Sequence, residues 1–254
     1  MNRKVTIFLV ALYFLLSIAP AAYAEEAPRI PIPKINIGLE EARTPKDVSL
    51  AVQVLLLLTI LTLAPSIIIM LTSFTRVIIV LSFVKRALAT QDLPPRQVEI
   101  GLALFLTFFI MAPVLKDVYA NAVTPFMESR LTPQEALKIA EKPIRQFMFL
   151  QTRPKDISLF VSLSKMKRPA NRDEIPTFIL IPSFMISEMT KAFEMGILIF
   201  IPFLVVDMVV ASVLLSMGMI MLPPVMISLP FKILLFIMVD GWHLLAEQII
   251  LSYR

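Results

Sequence analysis

The sequence predicts an all-α integral membrane protein built from long helical hairpins. Of its 254 residues, 57% are hydrophobic, a larger share than in ordinary soluble domains. The apolar residues form long runs interrupted by charges and prolines, with little of the strict alternation expected of strands. A polar, charged stretch of helix-forming sequence lies between these runs. Together the three observations predict membrane hairpins that flank a small helical insert.

The N-terminal segment has the pattern of a secretory signal. Two basic residues precede an apolar core over 5–18, and Ala22-Tyr23-Ala24 forms a small-x-small cleavage site. We therefore predict a cleaved signal peptide over 1–24, with an uncleaved membrane anchor as the alternative. The next stretch, 25–46, is proline-rich and charged, and predicts a flexible lead-in on the outer side of the membrane.

Residues 47–115 predict the first helical membrane region. No charge occurs from 48 to 75, and a helix of that length spans a hydrocarbon core about 30 Å thick. An amphipathic helix over 76–91 ends before Pro94-Pro95, which breaks helical structure. The uncharged run 100–115 is only 16 residues long. At about 24 Å it is short for a membrane span of its own.

Residues 116–191 predict a helical insert. Thr132 is suited to the N-cap of a helix, with Pro133 at N1 and Glu135 at N3. A second short helix is predicted over 152–167. Two aromatic side chains in the first helix are candidate anchors for contact with another subunit: Phe147 and Phe149.

The basic residues predict the orientation of these regions. Lys85, Arg86 and Arg96 lie in or beside a short loop, which the positive-inside rule places in the cytoplasm. The insert is also rich in Lys and Arg. Because loops longer than about 60 residues largely escape the rule, we still predict that the insert is extracytoplasmic.

Residues 192–254 predict a C-terminal helical hairpin in which charges divide the apolar sequence into short runs. No run there resembles an uninterrupted lipid-facing helix. An ionisable group at the centre of a bilayer costs about 2.5–3.5 kcal/mol on insertion scales, so we expect these groups to face protein or water within a larger assembly. The residues expected to form inter-subunit or inter-helix charge pairs are Arg76, Asp207, Lys232 and Asp240.

The turn of this hairpin, MGMIMLPP over 217–224, combines flexible methionines with helix-breaking residues. Methionine adapts its shape to irregular surfaces, and copies of such a turn around a symmetry axis would form a compressible apolar constriction. Gap-filling core methionines are the alternative. The predicted constriction consists of Met219, Ile220 and Met221, projected by the turn residues Gly218, Pro223 and Pro224.

The sequence contains little that indicates an enzyme. The chain has no cysteine and one histidine, His243, and it contains no zinc motif, nucleophile elbow or phosphate-binding loop. We therefore expect no enzyme activity, metal or cofactor. An aspartyl dyad or proton relay at Asp207 and Asp240 is the alternative. The net charge of +5 relates to membrane topology, and no nucleic-acid partner is expected.

Longer motifs resemble a known family. They are FTRVIIVLS over 74–82, RALATQ over 86–91 with Pro94-Pro95, FIPFLVVDM over 200–208 and MGMIMLPP over 217–224. These stretches resemble the FliP family of flagellar biosynthetic proteins and its type III secretion relatives. The likeness extends from about residue 50 to the C-terminus.

The resemblance implies a core pore-forming subunit of a flagellar or type III protein export gate. Such a subunit passes unfolded substrates across the bacterial inner membrane at the flagellar basal body. Five copies form a helical ring that joins two smaller membrane proteins of the export apparatus. A methionine gasket that closes the pore would fall on 219–221, where Ile220 replaces a usual methionine with a stiffer β-branched side chain. A small-solute or proton transporter and an intramembrane hydrolase are alternatives, and the sequence does not distinguish a flagellar from an injectisome system.

Overall fold

The computed structural model describes residues 45–90, 94–164, 166, 169–219 and 221–253. Every regular element among them is helical. The predicted signal peptide over 1–24, the lead-in up to residue 44 and the predicted gasket residue Ile220 lie outside the described residues.

Three helices form the N-terminal region. Helix α1 spans Pro45–Leu71 and bends by 47° near Pro65. Helix α2 spans Phe74–Ala87 and is amphipathic, as the sequence predicted. Helix α3 spans Arg96–Val118, after the break at the proline pair.

The helix that begins at Arg96 is longer than the uncharged run suggested. It passes from α3 through a π-helical turn, Tyr119–Val123, into α4, Thr124–Met127. The whole run, Arg96–Met127, has 32 residues and is long and apolar enough to cross a membrane. The expectation that this region is too short for a span was therefore wrong, because Lys116 and Asp117 do not stop the helix. The predicted boundary at 115/116 falls inside it.

The insert contains α5, Pro133–Gln151, and α6, Pro154–Leu163. The predicted start of α5 is confirmed, since a capping box closes it. The backbone N–H of Thr132 donates to Glu135 Oε2 at 2.9 Å, and Thr132 Oγ1 accepts from the backbone N–H of Glu135. The backbone N–H and the hydroxyl of Thr132 both donate to the Glu135 carboxylate and lower its pKa, because these bonds favour the ionised form.

The C-terminal region starts with α7, an unbroken helix of 40 residues from Thr177 to Ser216. It is the second continuous run, among the described residues, that is long and apolar enough to span a membrane. The expectation of no such helix here was wrong. Helical hydrogen bonding continues through Glu194 and Asp207, which interrupt only the run of apolar side chains. The predicted insert boundary at 191/192 falls inside α7.

The return arm of the hairpin is bent. Helix α8, Pro224–Met238, and helix α9, Gly241–Leu251, meet at 64°. Asp240 at the break is left-handed, with φ 51° and ψ 53°. Gly241 follows because a Cβ there would overlap the ring of Phe236. The predicted single arm over 224–251 is thus two helices with a break between them.

Helix α2 is central to the packing. One hydrophobic cluster joins buried residues of α2 to residues of α3, α7 and α9. The fully buried members of this cluster include Val77, Val80, Ala103, Ala192 and Ile249. A second cluster joins the end of α2 to α7, α8 and α9. A third joins α3, α5 and α7. The apolar side chains on the outside of α7 and α8 are largely exposed within a single chain.

Gly196 on α7 allows close approach of α2. A Cβ at this position would lie 2.5 Å from the ring of Phe83, which is held edge-on by Phe193 with ring centroids 5.2 Å apart. We expect Gly196→Ala to destabilise the protein by about 1–3 kcal/mol through overpacking. The measurement is thermal unfolding of the purified protein in detergent. Gly101→Ala is the control, because a Cβ at that position would have no neighbouring atom within 4 Å. Equal destabilisation by both changes would contradict the packing role.

Candidate functional site

A buried charged network lies where four parts of the chain meet. Arg76, in the first turn of α2, is fully buried. Its Nε donates to Glu188 Oε2 at 3.1 Å, and its Nη2 donates to Glu188 Oε1 and, at 3.1 Å, to Gln151 Oε1. Its Nη1 donates to the backbone oxygen and hydroxyl of Ser252, at 3.0 and 2.9 Å. All five guanidinium N–H groups therefore have acceptors.

The C-terminal Tyr253 closes the network on its other side. Its hydroxyl donates to Glu188 Oε2 at 2.5 Å, and its ring centroid lies 3.8 Å from Arg76 Cζ. Gln151 Nε2 donates to the Tyr253 carbonyl oxygen at 3.2 Å. The carboxylate of Glu188 thus receives hydrogen bonds from both an arginine and a phenol, and the guanidinium also stacks on the aromatic ring.

The burial of this network determines how much it contributes to the stability of the fold. Arg76 and Glu188 are both 0% exposed, so bringing them together removes two charges from water. Their attraction roughly offsets that desolvation, and the net stabilisation of such a pair is small. Separating them is costly, because a lone buried charge remains. The network therefore fixes the register of α2, α7, the end of α5 and the C-terminus relative to one another.

The two predicted aromatic anchors have different surroundings. Phe147 is buried within the chain: its ring stacks on Tyr253 and meets Phe184 edge-on, both at 5.9 Å between centroids. Its surface is therefore already covered inside one copy. Phe149 is half-buried, lies 5.4 Å from the guanidinium of Arg145 and lines a groove of about 550 Å³ between α6 and the following loop. Of the two, only Phe149 presents surface to another molecule.

Two of the predicted charge-pairing residues meet in the C-terminal hairpin. Lys232 Nζ on α8 lies 2.6 Å from Asp207 Oδ2 on α7. Ser228, one turn before Lys232, donates its hydroxyl to Asp207 Oδ1 at 2.5 Å. Lys232 and Ser228 are buried, whereas the Asp207 side chain keeps 30% of its surface exposed. This pair ties the two arms of the hairpin together within one copy.

The other two predicted charges are not brought together. Arg76 belongs to the buried network, and its partner Glu188 was not among the predicted residues. Asp240 is exposed at the break between α8 and α9, and no ion pair to it occurs among the residues that the structure describes. The structure therefore places Asp207 and Asp240 in different surroundings, one paired and the other open.

Backbone hydrogen bonds close the end of α7, where the turn begins. The N–H of Met219 donates to Leu214 O at 3.0 Å, and the N–H of Gly218 donates to Leu215 O at 3.1 Å. This pair of hydrogen bonds is the Schellman motif, and it needs a left-handed residue, which Gly218 supplies at φ 73°. Pro223 then caps α8, and Pro224 begins it. Met219 is 39% exposed and Met221 is 96% exposed, so a single chain covers much of Met219 and leaves Met221 almost entirely uncovered.

A second polar cluster fixes α6 to α7. Asp156 is buried and accepts hydrogen bonds from Arg153 Nε at 2.7 Å and from the Ser187 hydroxyl at 2.5 Å. Burial by itself raises the pKa of Asp156. The bonds from Arg153 and Ser187 and the arginine charge outweigh it, so the pKa of Asp156 is lowered in the folded protein.

Sequence reasoning missed the partners of these charges. Glu188 and Gln151 are separated from Arg76 by more than 70 residues, so no local pattern links them. Ser228 had a usable signal, because it lies four residues before Lys232 and therefore shares its helix face. Tyr253 follows the last apolar run and has no distinguishing sequence pattern.

The buried pair gives a test of the network. We expect Arg76→Met to destabilise the chain by about 3–5 kcal/mol, because Glu188 is left buried without its cation. The double variant Arg76→Met with Glu188→Gln should recover part of that loss. Thermal unfolding of the four proteins of this cycle in detergent measures the coupling. Additive losses in the double variant would show that the two residues do not stabilise each other.

The Asp156 cluster predicts a pH dependence. A lowered pKa means that the ionised carboxylate contributes stability above its unfolded pKa of about 3.9, and that this contribution is lost as the pH falls through the folded value. Asp156→Asn should therefore lower the unfolding temperature at neutral pH, and the gap to the wild type should shrink below about pH 4. A gap that stays constant across the acidic range would contradict this interpretation.

Comparison with known proteins gives one consistent result. The model of the FliP family matches residues 57–249. The chain is 54% identical to the flagellar biosynthetic protein FliP of Bacillus subtilis (strain 168), over 85% of this chain and 98% of that protein. It is 48% identical to the FliP of Treponema pallidum (strain Nichols), over 90% and 85% of the two chains. It is 44% identical to the FliP of Caulobacter vibrioides, over 99% and 92%.

These matches include the α2 motif, the Asp207–Lys232 hairpin and the methionine turn, all of which lie between residues 57 and 249. Sequence identity at this level, over nearly the whole length of several relatives, establishes the family of the chain. The chain is a member of the FliP family.

Proposed function

We propose that this chain is the pore-forming subunit of a flagellar protein export gate in the bacterial inner membrane. Family membership supports the general part: the relatives are named flagellar biosynthetic proteins, and this chain is a membrane-associated component of flagellar biosynthesis. The more specific part of the proposal is that copies of the chain surround a channel for unfolded polypeptide at the basal body. Five copies, joined by two smaller membrane proteins, follow from the family resemblance.

The observation that carries the proposal is the exposed methionine turn at the tip of a stiff hairpin. Helix α7 is 40 residues long, and the Asp207–Lys232 pair ties α8 to it near the tip. Met221 is 96% exposed, and it lies between the left-handed Gly218 and the proline pair that begins α8. A soft apolar group at the tip of a helical hairpin suits a seal that closes around an axis and yields to a passing chain.

The exposed apolar surface supports assembly in a membrane. Large side chains on α7 and α8 are more than 50% exposed in the single chain, among them Val205, Val209, Val213, Leu234 and Ile237. A soluble monomer rarely exposes a continuous patch of this kind. Lipid covers it in part, and neighbouring copies of the hairpin cover the rest. The half-buried Phe149 is the aromatic contact that we assign to the extracytoplasmic insert.

The gasket is tested by ion leakage. We expect Met219→Ala with Met221→Ala to raise the ion conductance of the purified complex, reconstituted in planar bilayers, because truncation opens the apolar constriction to water. Met219→Leu with Met221→Leu should keep the seal, since volume and apolarity are retained.

The matched control is Met238→Ala, at a methionine that is 75% exposed on α8 but lies away from the turn. Its conductance should equal that of the wild type. Unchanged leakage in the turn variant, with the complex at normal mass, would refute the gasket role. Equal leakage in the control would show that loss of any exposed methionine loosens the complex.

A further inference from the structure

A cationic pocket lies between the end of α2 and the start of α8. Its volume is about 570 Å³, and its lining residues are Ser82, Lys85, Arg86, Ala89, Thr90 and Val225. Lys85 and Arg86 carry positive charges, and no acidic residue belongs to the lining. The walls of this pocket therefore favour a negatively charged ligand.

The backbone forms one wall of the pocket by turning sharply after α2. Ala89 is left-handed, with φ 56°, a conformation that is disfavoured for a residue with a Cβ atom. Its N–H donates to Arg86 O at 3.0 Å, and the Thr90 hydroxyl donates to Lys85 O at 3.3 Å. These bonds fold the loop back onto the helical turn that carries both cations.

Arg86 keeps its hydrogen-bond donors available to a ligand. It is exposed, and its guanidinium lies 5.6 Å from the centroid of the Phe83 ring. A cation–π contact of this kind steadies the charge without supplying acceptors for the N–H groups. In the part of the chain that the structure describes, this side chain has no ion pair or hydrogen bond.

Lys85 is the second cation, and it uses one donor within the chain. Its Nζ donates to Pro94 O at 3.3 Å, which leaves further N–H groups of the ammonium for a ligand. The carboxylate of Glu99 accepts from the Ser82 hydroxyl at 2.5 Å and does not line the pocket. Glu99 lies in the first turn of α3, where the helix dipole also offsets its negative charge.

The pocket adjoins the end of a helix that is able to cross a membrane. Pro94 lies two residues before α3, which begins the apolar 32-residue run from Arg96 to Met127. The ends of membrane-spanning helices lie near the level of the lipid headgroups. Val225, which is 49% exposed, adds an apolar wall beside the cations. Cations next to apolar surface match a ligand that has both a phosphate and a hydrocarbon part.

We propose that this pocket binds the phosphate group of an anionic membrane lipid, whose acyl chains lie against the exposed apolar face of α8. Arg86 binds two phosphate oxygens through parallel hydrogen bonds, and Lys85 adds a point charge. The positive-inside rule predicts the cytoplasmic side for this loop, where basic pockets between helices suit such headgroups. The proposal requires a chain in a membrane, and it does not depend on the channel.

Native mass spectrometry tests the site by counting the lipids that stay bound. The protein, purified with the other export proteins, is equilibrated in detergent with equal amounts of phosphatidylglycerol and phosphatidylcholine. Phosphatidylglycerol should be retained in several-fold excess, because the choline group offsets the phosphate charge of the other lipid. Arg86→Gln should remove most of this excess, and Lys85→Gln with Arg86→Gln should remove all of it.

The matched control is Arg96→Gln. It also removes one exposed positive charge, at the start of α3, from a residue that does not line the pocket. This variant should keep the wild-type excess of phosphatidylglycerol. Equal losses in Arg86→Gln and Arg96→Gln would show a diffuse attraction to the surface and would overturn the pocket as a site.

Two further outcomes identify a different occupant. Inorganic phosphate that raises the unfolding temperature only when Arg86 is present, without a preference for phosphatidylglycerol, would assign the pocket to a free ion and overturn the lipid. A preference found in the single chain but absent from the assembled complex would show that protein covers the pocket, and would also overturn it. The proposed function stands in each case, because none of these measurements reports on the channel.

Discussion

The fold depends on one buried cation. Arg76 lies in the first turn of the helix at the centre of the packing, and all five of its N–H groups are satisfied by residues distant in sequence. A guanidinium in this position tolerates only one arrangement of its neighbours, because each lost acceptor leaves a buried donor unpaired. Apolar packing of α2 alone would allow the helices to slide. The charge network removes that freedom and also holds the end of the chain, through Tyr253, against the helices.

The same principle recurs at two further points. Asp207 and Lys232 join the arms of the hairpin, and Asp156 joins the insert to α7 through Ser187. Each polar contact lies where two helices cross and where apolar contacts alone give little directional preference. The result is a set of stiff units with apolar outer faces. Such faces suit packing against lipid.

Most predictions made from local sequence signals were confirmed by the structure. The capping residues Thr132 and Glu135 begin α5, the proline pair at 94–95 separates α2 from α3, and Gly218 closes the turn. The wrong predictions concerned the lengths of the helices. Charges at Lys116, Glu194 and Asp207 divide the apolar runs of the sequence, yet the backbone stays helical through them. Hydropathy reports side chains, whereas helix propagation depends on backbone hydrogen bonds, so the two need not end together.

By itself the sequence determined the all-helical membrane character, the position of the hairpin turn and the family resemblance, because these depend on local propensity and on contiguous motifs. Only the tertiary structure decided which charges meet. It gave Arg76 the unforeseen partner Glu188, united Asp207 with Lys232, left Asp240 open and placed Phe147 in the interior. The reason is physical: the energy of a buried charge depends on neighbours brought close by folding, and those neighbours are far apart along the chain.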